Sequence, residues 1–436
     1  MDQTTPRAPA PHGGTVLDIT RLLVRAKRPT PSGIDRFEFA YADWLAHGPS
    51  SARFLVQWRT GALTVRPAAV SRFVTRLRRR WMGAGGAADD PAFRACAAFL
   101  EDRPRAGARA GGRKPDQRPL HQTIDLLRHL RTVGKPPADT LAGAPLIYLN
   151  IGHWHLERLA RLKARFGGGA RLRAVAYVHD LLPIETPEYF SADGRREAEQ
   201  RMTAVARHAD ALLFTSQAMQ ASFAFHARRA GLRVPASLVL PPGIEEVFCG
   251  GGDLPPIRPA RPYFVVCGNI EARKNHLMLV NIWRTMAAAD GEAAPRLVVA
   301  GRRGWHAESV ISALDRSPLM GTHIFEVSGL GTAGLAALLA GARALLMPSF
   351  TEGYGMPVAE ARACGVPVVC SDIPSHREVG GPDAIYLDPI DGLGWMHEIR
   401  RLAAAPPAPR RPDAVMRWPQ HFARLGDFLA ELRATA

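Results

Sequence analysis

Glu352 and Glu360 stand eight positions apart in the segment SFTEGYGMPVAEARACGVPVVCSD, with Gly353 and Gly355 between them and Pro357 ahead of a helical run. Proline is tolerated at a helix start because its missing N–H has no partner there, and Gly365 marks where the helix should stop. Glu352 then lies on a loop, and Glu360 on the first turn or so of the helix. The two glycines are expected to take positive φ and bring the backbone close to a ligand. The free N–H groups of the helix start, from Gly355 through Met356 to Val358, suit an anion such as phosphate. A loop carboxylate can accept hydrogen bonds from sugar hydroxyls, and one on the helix can grip the two hydroxyls of a ribose. Tyr354 sits between the glycines.

Three further stretches carry chemistry. In VVCGNIEARKN a strand ends at Gly268, and Arg273 and Lys274 lead into a helix. Two cations just past such a strand can neutralise a leaving diphosphate as its bond to a sugar breaks; Asn269 is a secondary candidate. In AVAYVHDLLP a strand ends in His179 and Asp180, and in TPSGIDRFE a glycine turn at Gly33 precedes Arg36, a candidate for phosphate or acceptor contact.

These residues need a frame that brings them together. Residues 1–14 read as a polar, proline-rich disordered tail. GTVLDITRLLV reads as a first strand, and Phe37, Tyr41, Trp44 and Leu45 recur at helical spacing. Residues 66–140 form an Arg-rich irregular insertion with short helices expected at 68–82 and 121–132. From 144 onward strand-like and helical runs alternate. A Pro/Gly-rich patch after 245 marks a boundary, beyond which the alternation is cleaner. Such alternation is the signature of doubly wound parallel sheets. Two Rossmann-like units are expected, 15–245 and 246–410, with a site between them at the strand ends. The segment 411–436 is amphipathic.

PSFTEGYGMPVAEARACGVPVVCSD resembles the paired-glutamate segment of the family-four retaining glycosyltransferases (group 1), which have the GT-B fold; Tyr354 replaces the commoner Phe. The EARKN block is similar to that of a branch that builds O-antigens and other polysaccharides. The resemblance implies a hexosyltransferase, mannose favoured, that uses a GDP- or UDP-sugar and no metal. It puts Glu352 on the donor sugar, Glu360 on the ribose, Arg273 and Lys274 on the diphosphate, and His179 near the donor sugar with Asp180 orienting it or meeting the acceptor. Gly33, Arg36 and the amides from Gly353 to Val358 would approach the donor. Where many members carry an Arg directly after the glycine, this chain has Asn269. The resemblance also implies that 411–436 packs back on the first unit, as the family's C-terminal helix tends to, and that Ser216 and Gly243 are structural landmarks beside the cleft and at the hinge. A sugar-nucleotide epimerase-like enzyme or an inactive nucleotide-sugar-binding scaffold are the alternatives.

Composition narrows the partners. The chain of 436 residues has a net charge of +16, unevenly spread. Residues 1–250 hold 37 Lys and Arg against 22 Asp and Glu, a net of +15, whereas the remainder is nearly neutral. Residues 51–135 alone carry 18 basic against 6 acidic side chains. That asymmetry fits an anionic partner of the first unit, such as a membrane surface carrying a lipid-linked acceptor. Nucleic acid is disfavoured because aromatics do not interleave with the arginines. The five cysteines have no metal-ligand spacing. No signal peptide or apolar run of roughly 18 to 20 residues is present. The expectation is a cytoplasmic protein, peripheral on the inner face of the cytoplasmic membrane. Asp89 and Asp90 fall in a Gly/Ala loop, a poor place for a metal.

Overall fold

The computed structural model describes residues 14–28, 30–48, 52–58, 61–82, 86–104, 107–110, 146–165, 172–250, 254–406 and 410–435. The tail expected at 1–14, apart from Gly14, and the helix expected at 121–132 lie outside them. The first sheet has the order β3-β2-β1-β5-β6-β7-β8. Its strands are β1 (Thr15–Asp18), β2 (Arg53–Trp58), β3 (Gly61–Val65), β5 (Leu146–Asn150), β6 (Leu172–Val178), β7 (Ala211–Phe214) and β8 (Ala236–Val239). Only the β2–β3 pair is antiparallel. The second sheet is parallel throughout, in the order β14-β13-β12-β9-β10-β11-β4. Its strands are β4 (Arg109–Ala110), β9 (Tyr263–Cys267), β10 (Arg296–Ala300), β11 (Ile324–Val327), β12 (Ala344–Met347), β13 (Val368–Ser371) and β14 (Ile385–Leu387).

The central strands are near-continuous apolar runs because helices cover both faces of each sheet. YFVV in β9, LVVA in β10 and ALLM in β12 are all buried. Each sheet therefore has a core on either side. One core of the first lobe holds Leu17, Phe37, Tyr41 and Tyr177, and the other Tyr148, Val205, Phe214 and Phe223. The second lobe repeats this arrangement around Val265 and Phe325 on one face and Phe264 and Trp283 on the other.

Two segments cross between the lobes. Helix Trp418–Ala434 returns to the first lobe and buries Phe422, Leu425, Leu429 and Leu432 in its core. Gly243 meets it so closely that a Cβ would lie 2.5 Å from the Trp418 ring. The other crossing corrects the sequence reading. Residues 87–110 were expected within an insertion of the first unit, yet those described among them belong to the second lobe. Helix Pro91–Leu100 buries Cys96, Phe99 and Leu100 in the second core, and β4 pairs with β11 at the sheet edge. The Arg296 guanidinium donates to the carbonyls of Phe99 (2.6 Å) and Leu100 (3.0 Å) and lies over the Phe99 ring, which stacks on Phe325. Asp90 caps this helix through the Ala92 N–H (2.8 Å) and accepts the Gly331 N–H (2.8 Å), so its carboxylate is structural. A second correction concerns the first strand. It ends at Asp18, where the carboxylate accepts from the Thr20 N–H (2.9 Å), and helix Thr20–Arg25 begins.

Candidate active site

The carboxyl ends of both sheets face a cleft of about 480 Å³. His179 follows β6, Gly268 follows β9, and the Ser349–Gly355 loop follows β12. Every site residue named from the sequence lines this cleft except Val358. Val358 is fully buried in the second core, and its N–H bonds the Gly355 carbonyl (2.9 Å), so neither its side chain nor its amide faces a ligand. Helix Met356–Ala363 starts on Gly355, whose φ of 100° is the left-handed conformation expected of it. Gly353 has no such φ. It is needed because a Cβ there would lie 2.5 Å from the His179 carbonyl oxygen of the facing lobe. The close approach at Gly353 is lobe against lobe, and the Thr215 hydroxyl adds to it by donating to the Gly353 carbonyl (3.1 Å).

The second-lobe wall is a charge network. Arg273 Nη1 donates to Glu352 Oε2 (2.9 Å) and to the Thr351 carbonyl (3.1 Å), and its Nε donates to Glu271 (3.1 Å). Lys274 Nζ and the Ser349 hydroxyl (2.7 Å) both donate to Glu352 Oε1. Asn269 donates to Glu271 (3.1 Å). Burial opposes ionisation of Glu352, but Lys274 and Arg273 overcome it and hold the carboxyl well below the usual carboxylate range. Burial likewise works against the charge on Arg273, and Glu352 and Glu271 raise it above an ordinary guanidinium. The expected cations and the expected sugar-binding carboxylate thus form one preorganised unit. Among the described residues Arg273 Nη2 and the remaining Lys274 protons make no further hydrogen bond, and both side chains line the cleft.

Glu360 meets the other lobe. Its carboxylate accepts from Arg36 Nη2 on helix Gly33–His47, and Arg36 Nε lies 3.5 Å from Glu245. Burial raises the Glu360 pKa, Arg36 opposes it, and Glu245 adds to the rise. Gly33 sits at the first turn of that helix, behind a capping box of Ser32 and Asp35. The helix opens into the cleft beside Met356, whose Cγ would lie 3.7 Å from a Cβ on Gly33.

His179 is held among Phe37, Tyr177 and His153. Its Nε2–H donates to the Ile151 carbonyl (2.7 Å), which leaves Nδ1 as an acceptor, and its backbone N–H donates to His153 Nε2 (2.9 Å). Burial lowers its pKa to about 4, so at neutral pH the ring is uncharged. Asp180 is pushed upward by burial, with Arg273 opposing.

Several residues here have no sequence signal strong enough to single them out. Glu271 and Glu245 complete the ion pairs. His376 packs under the glycine loop, where a Cβ on Gly355 would lie 3.2 Å from its ring. His276 is buried beside Lys274, and burial first, then Lys274, lowers its pKa to about 3. Among the described residues no group of three or more His, Cys, Asp or Glu could hold a metal ion.

Residues 261–405 match the family described as glycosyl transferases group 1. The second lobe is a domain of that family, and the two lobes together have the GT-B fold. Serotype-specific mannosyltransferase WbdA of Escherichia coli is 28% identical over 232 residues, which are 48% of this chain and 27% of that one. O-antigen chain mannosyltransferase B of Escherichia coli is 29% identical over 235 residues, 50% of this chain and 58% of that one. The chain therefore spans less than two thirds of the length of these relatives. Anabaena Alr3699/HepE, solved in complex with UDP, superposes with a TM-score of 0.52 at 14% identity, covering 97% of this chain and 98% of that one. The α,α-trehalose 6-phosphate synthase of Burkholderia multivorans gives 0.53 at 14% identity, covering 97% of each chain. At such identity the likeness is one of fold.

Proposed function

We propose that the chain transfers a hexosyl group, mannose favoured, from a nucleotide diphosphate sugar to an acceptor hydroxyl in cell-surface polysaccharide synthesis, with retention of configuration. The observation that carries this reading is the ion-paired set of Arg273, Lys274 and Glu352, facing Glu360 across the Gly353–Gly355 loop. The names of the mannosyltransferase relatives support the sugar and the pathway. GDP- or UDP-mannose fits as donor, and a lipid-linked or free saccharide as acceptor. The bond from the anomeric carbon to the leaving phosphate breaks as the acceptor oxygen bonds on the same face. The acceptor proton passes to the departing phosphate oxygen. Arg273 and Lys274 neutralise the charge that develops there, so no metal is required. Neutral His179 and Asp180 position hydroxyls of donor and acceptor, and Glu360 holds the ribose, sharing Arg36 with Glu245.

The basic first lobe suits the inner face of the cytoplasmic membrane. No helix of the described residues is long and apolar enough to cross a membrane. Helix Pro67–Trp81 presents Arg72, Arg76 and Arg79 to solvent, as such peripheral docking needs.

A thermal-shift panel of GDP, UDP, dTDP and ADP with their sugars, on wild type and Glu360→Ala, tests the donor site. One nucleotide series should stabilise wild type and lose its effect in the variant. No shift with any of them would overturn the reading.

A further inference from the structure

The cations of the cleft divide into two sets. Arg273 and Lys274 are matched by Glu352 and Glu271, and Arg36 by Glu245 and Glu360. Arg21 takes Glu38 and lies 2.9 Å from Asp35. Among the described residues Arg25, Arg28 and Arg302 have no carboxylate of their own. Arg25 Nε and Arg28 Nη1 reach only the same Asp35, at 3.8 and 4.0 Å, and Arg302 has no ion pair among the described residues. Arg25 Nε is moreover buried without a hydrogen-bond partner. All three arginines line the cleft, together with Trp305, which is 53% exposed.

These charges press on one another. Burial, then Arg21 and Arg28, lower the pKa of Arg25; burial, then Arg302 from the opposite lobe, lowers that of Arg28. The segment is nevertheless pinned. Trp81 Nε1 donates to the Arg28 carbonyl (3.0 Å), and Arg80 donates to the carbonyls of Ala26 (3.1 Å) and Lys27 (3.0 Å). The end of helix Thr20–Arg25 favours a cation, which accounts in part for Arg25. It does not account for Arg302, which follows β10 on the far wall. Rigidly placed guanidinium groups in excess of carboxylates are what an anion site requires, and their planar forks match phosphate oxygens.

We propose that Arg25, Arg28 and Arg302 form a second anion site, separate from the Arg273–Lys274 clamp, that takes a phosphate or diphosphate group of the acceptor. The exposed indole of Trp305 lies against the sugar or apolar part next to that group. The assignment of the anion to the acceptor rests on the glycosyl-transfer reading. The group could belong to a lipid-linked or a soluble sugar phosphate, since the recognising chemistry is the same.

The test is a thermal-shift titration with inorganic pyrophosphate, first on the free protein and then with the stabilising nucleotide at saturation. Wild type, Arg28→Gln/Arg302→Gln and Arg28→Lys/Arg302→Lys are compared. Pyrophosphate should further stabilise nucleotide-saturated wild type. The glutamine pair should weaken its apparent affinity by roughly tenfold or more, as the loss of charge-assisted hydrogen bonds implies, with the nucleotide shift unchanged and partial recovery in the lysine pair. Equal pyrophosphate shifts in wild type and the glutamine pair would overturn the site. Loss of the nucleotide shift in the glutamine pair would overturn its separateness and give these arginines to the donor. If no nucleotide shifts wild type, the transfer reading fails by itself, while the titration of free protein still decides whether the arginines bind an anion. Competition by mannose 1-phosphate, or sedimentation with phosphatidic acid vesicles, then separates soluble from lipid sources. Loss of either in the glutamine pair supports the site, and indifference of both to the substitutions overturns it.

Discussion

The two walls of the cleft handle charge differently. On the second-lobe wall Arg273 and Lys274 are fixed on Glu352 and Glu271, within a few residues of two strand ends. On the first-lobe wall Arg36 reaches across to Glu360, and Arg25 and Arg28 share what Arg21 leaves of Asp35. Around Arg273 and Lys274 the second-lobe wall is a finished network, so its geometry is set before a ligand arrives. The first-lobe wall around Arg25 and Arg28, with Arg302 facing it from the second lobe, is short of counter-charge, which the proposed anion would supply. Buried pairs hold shape at the cost of desolvation, whereas half-exposed unmatched cations cost little to keep and gain much on binding.

Removing one partner of the matched set should have the largest effect. Glu352→Ala leaves buried Lys274 and half-buried Arg273 without their shared carboxylate and should lower unfolding stability by about 3 kcal/mol in urea melts. Arg28→Gln, on the unmatched wall, should stay within about 0.5 kcal/mol of wild type. Similar losses in the two variants would break the comparison. Next, Lys274→Ala should cut kcat by about 10²–10³-fold with a smaller change in KM, because its work is done on charge that develops during transfer. A change confined to KM would make Lys274 a ground-state binder. Third, Gly353→Ala forces its Cβ against the His179 carbonyl and should destabilise by about 1–3 kcal/mol, whereas Gly33→Ala has room and should not. Differential scanning calorimetry of the two variants decides whether this lobe-to-lobe seam is tight.

The smallest effect concerns pH. Burial lowers His179 and His421 to about 4. Between pH 6.5 and 4 these rings bind protons in the unfolded chain that the folded chain refuses, so their contribution to stability rises with pH across this window and is level above it. At pH 5.5 each such ring costs about 1.4 kcal/mol. His421→Gln, away from the cleft, should flatten the rise in melting temperature; an unchanged slope would mean that other groups set it.

The second-lobe site could be read from the chain because its residues lie in contiguous segments, strand then glycine turn then helix start, where spacing translates directly into position. Glu352, Glu360, Arg273 and Lys274 were visible in this way. Their mutual pairing was not, since the sequence gives no sign that the carboxylate meant for a sugar also neutralises both cations. Nor could Arg36 be paired with Glu360, 324 positions away. Val358 was misread because a glycine cap turns its amide inward. Residues 87–110 were misread because a two-residue edge strand leaves no periodic pattern, and helix Pro91–Leu100 is apolar enough to suit either lobe. The α/β alternation was legible from hydrophobic spacing, whereas the return of helix Trp418–Ala434 was expected only from the family resemblance, since amphipathic spacing does not say which lobe a helix covers.

That exchange of segments bears on how the chain acquires its structure during synthesis. The second lobe's covering helix, Pro91–Leu100, and edge strand, Arg109–Ala110, leave the ribosome before any other described strand of its sheet exists. The first lobe lacks the side chains of Phe422, Leu425 and Leu429 until residues 418–434 have emerged. Neither lobe can therefore mature vectorially as a closed unit, as consecutive domains commonly do. The nascent first lobe keeps an apolar face open until its last helix packs there.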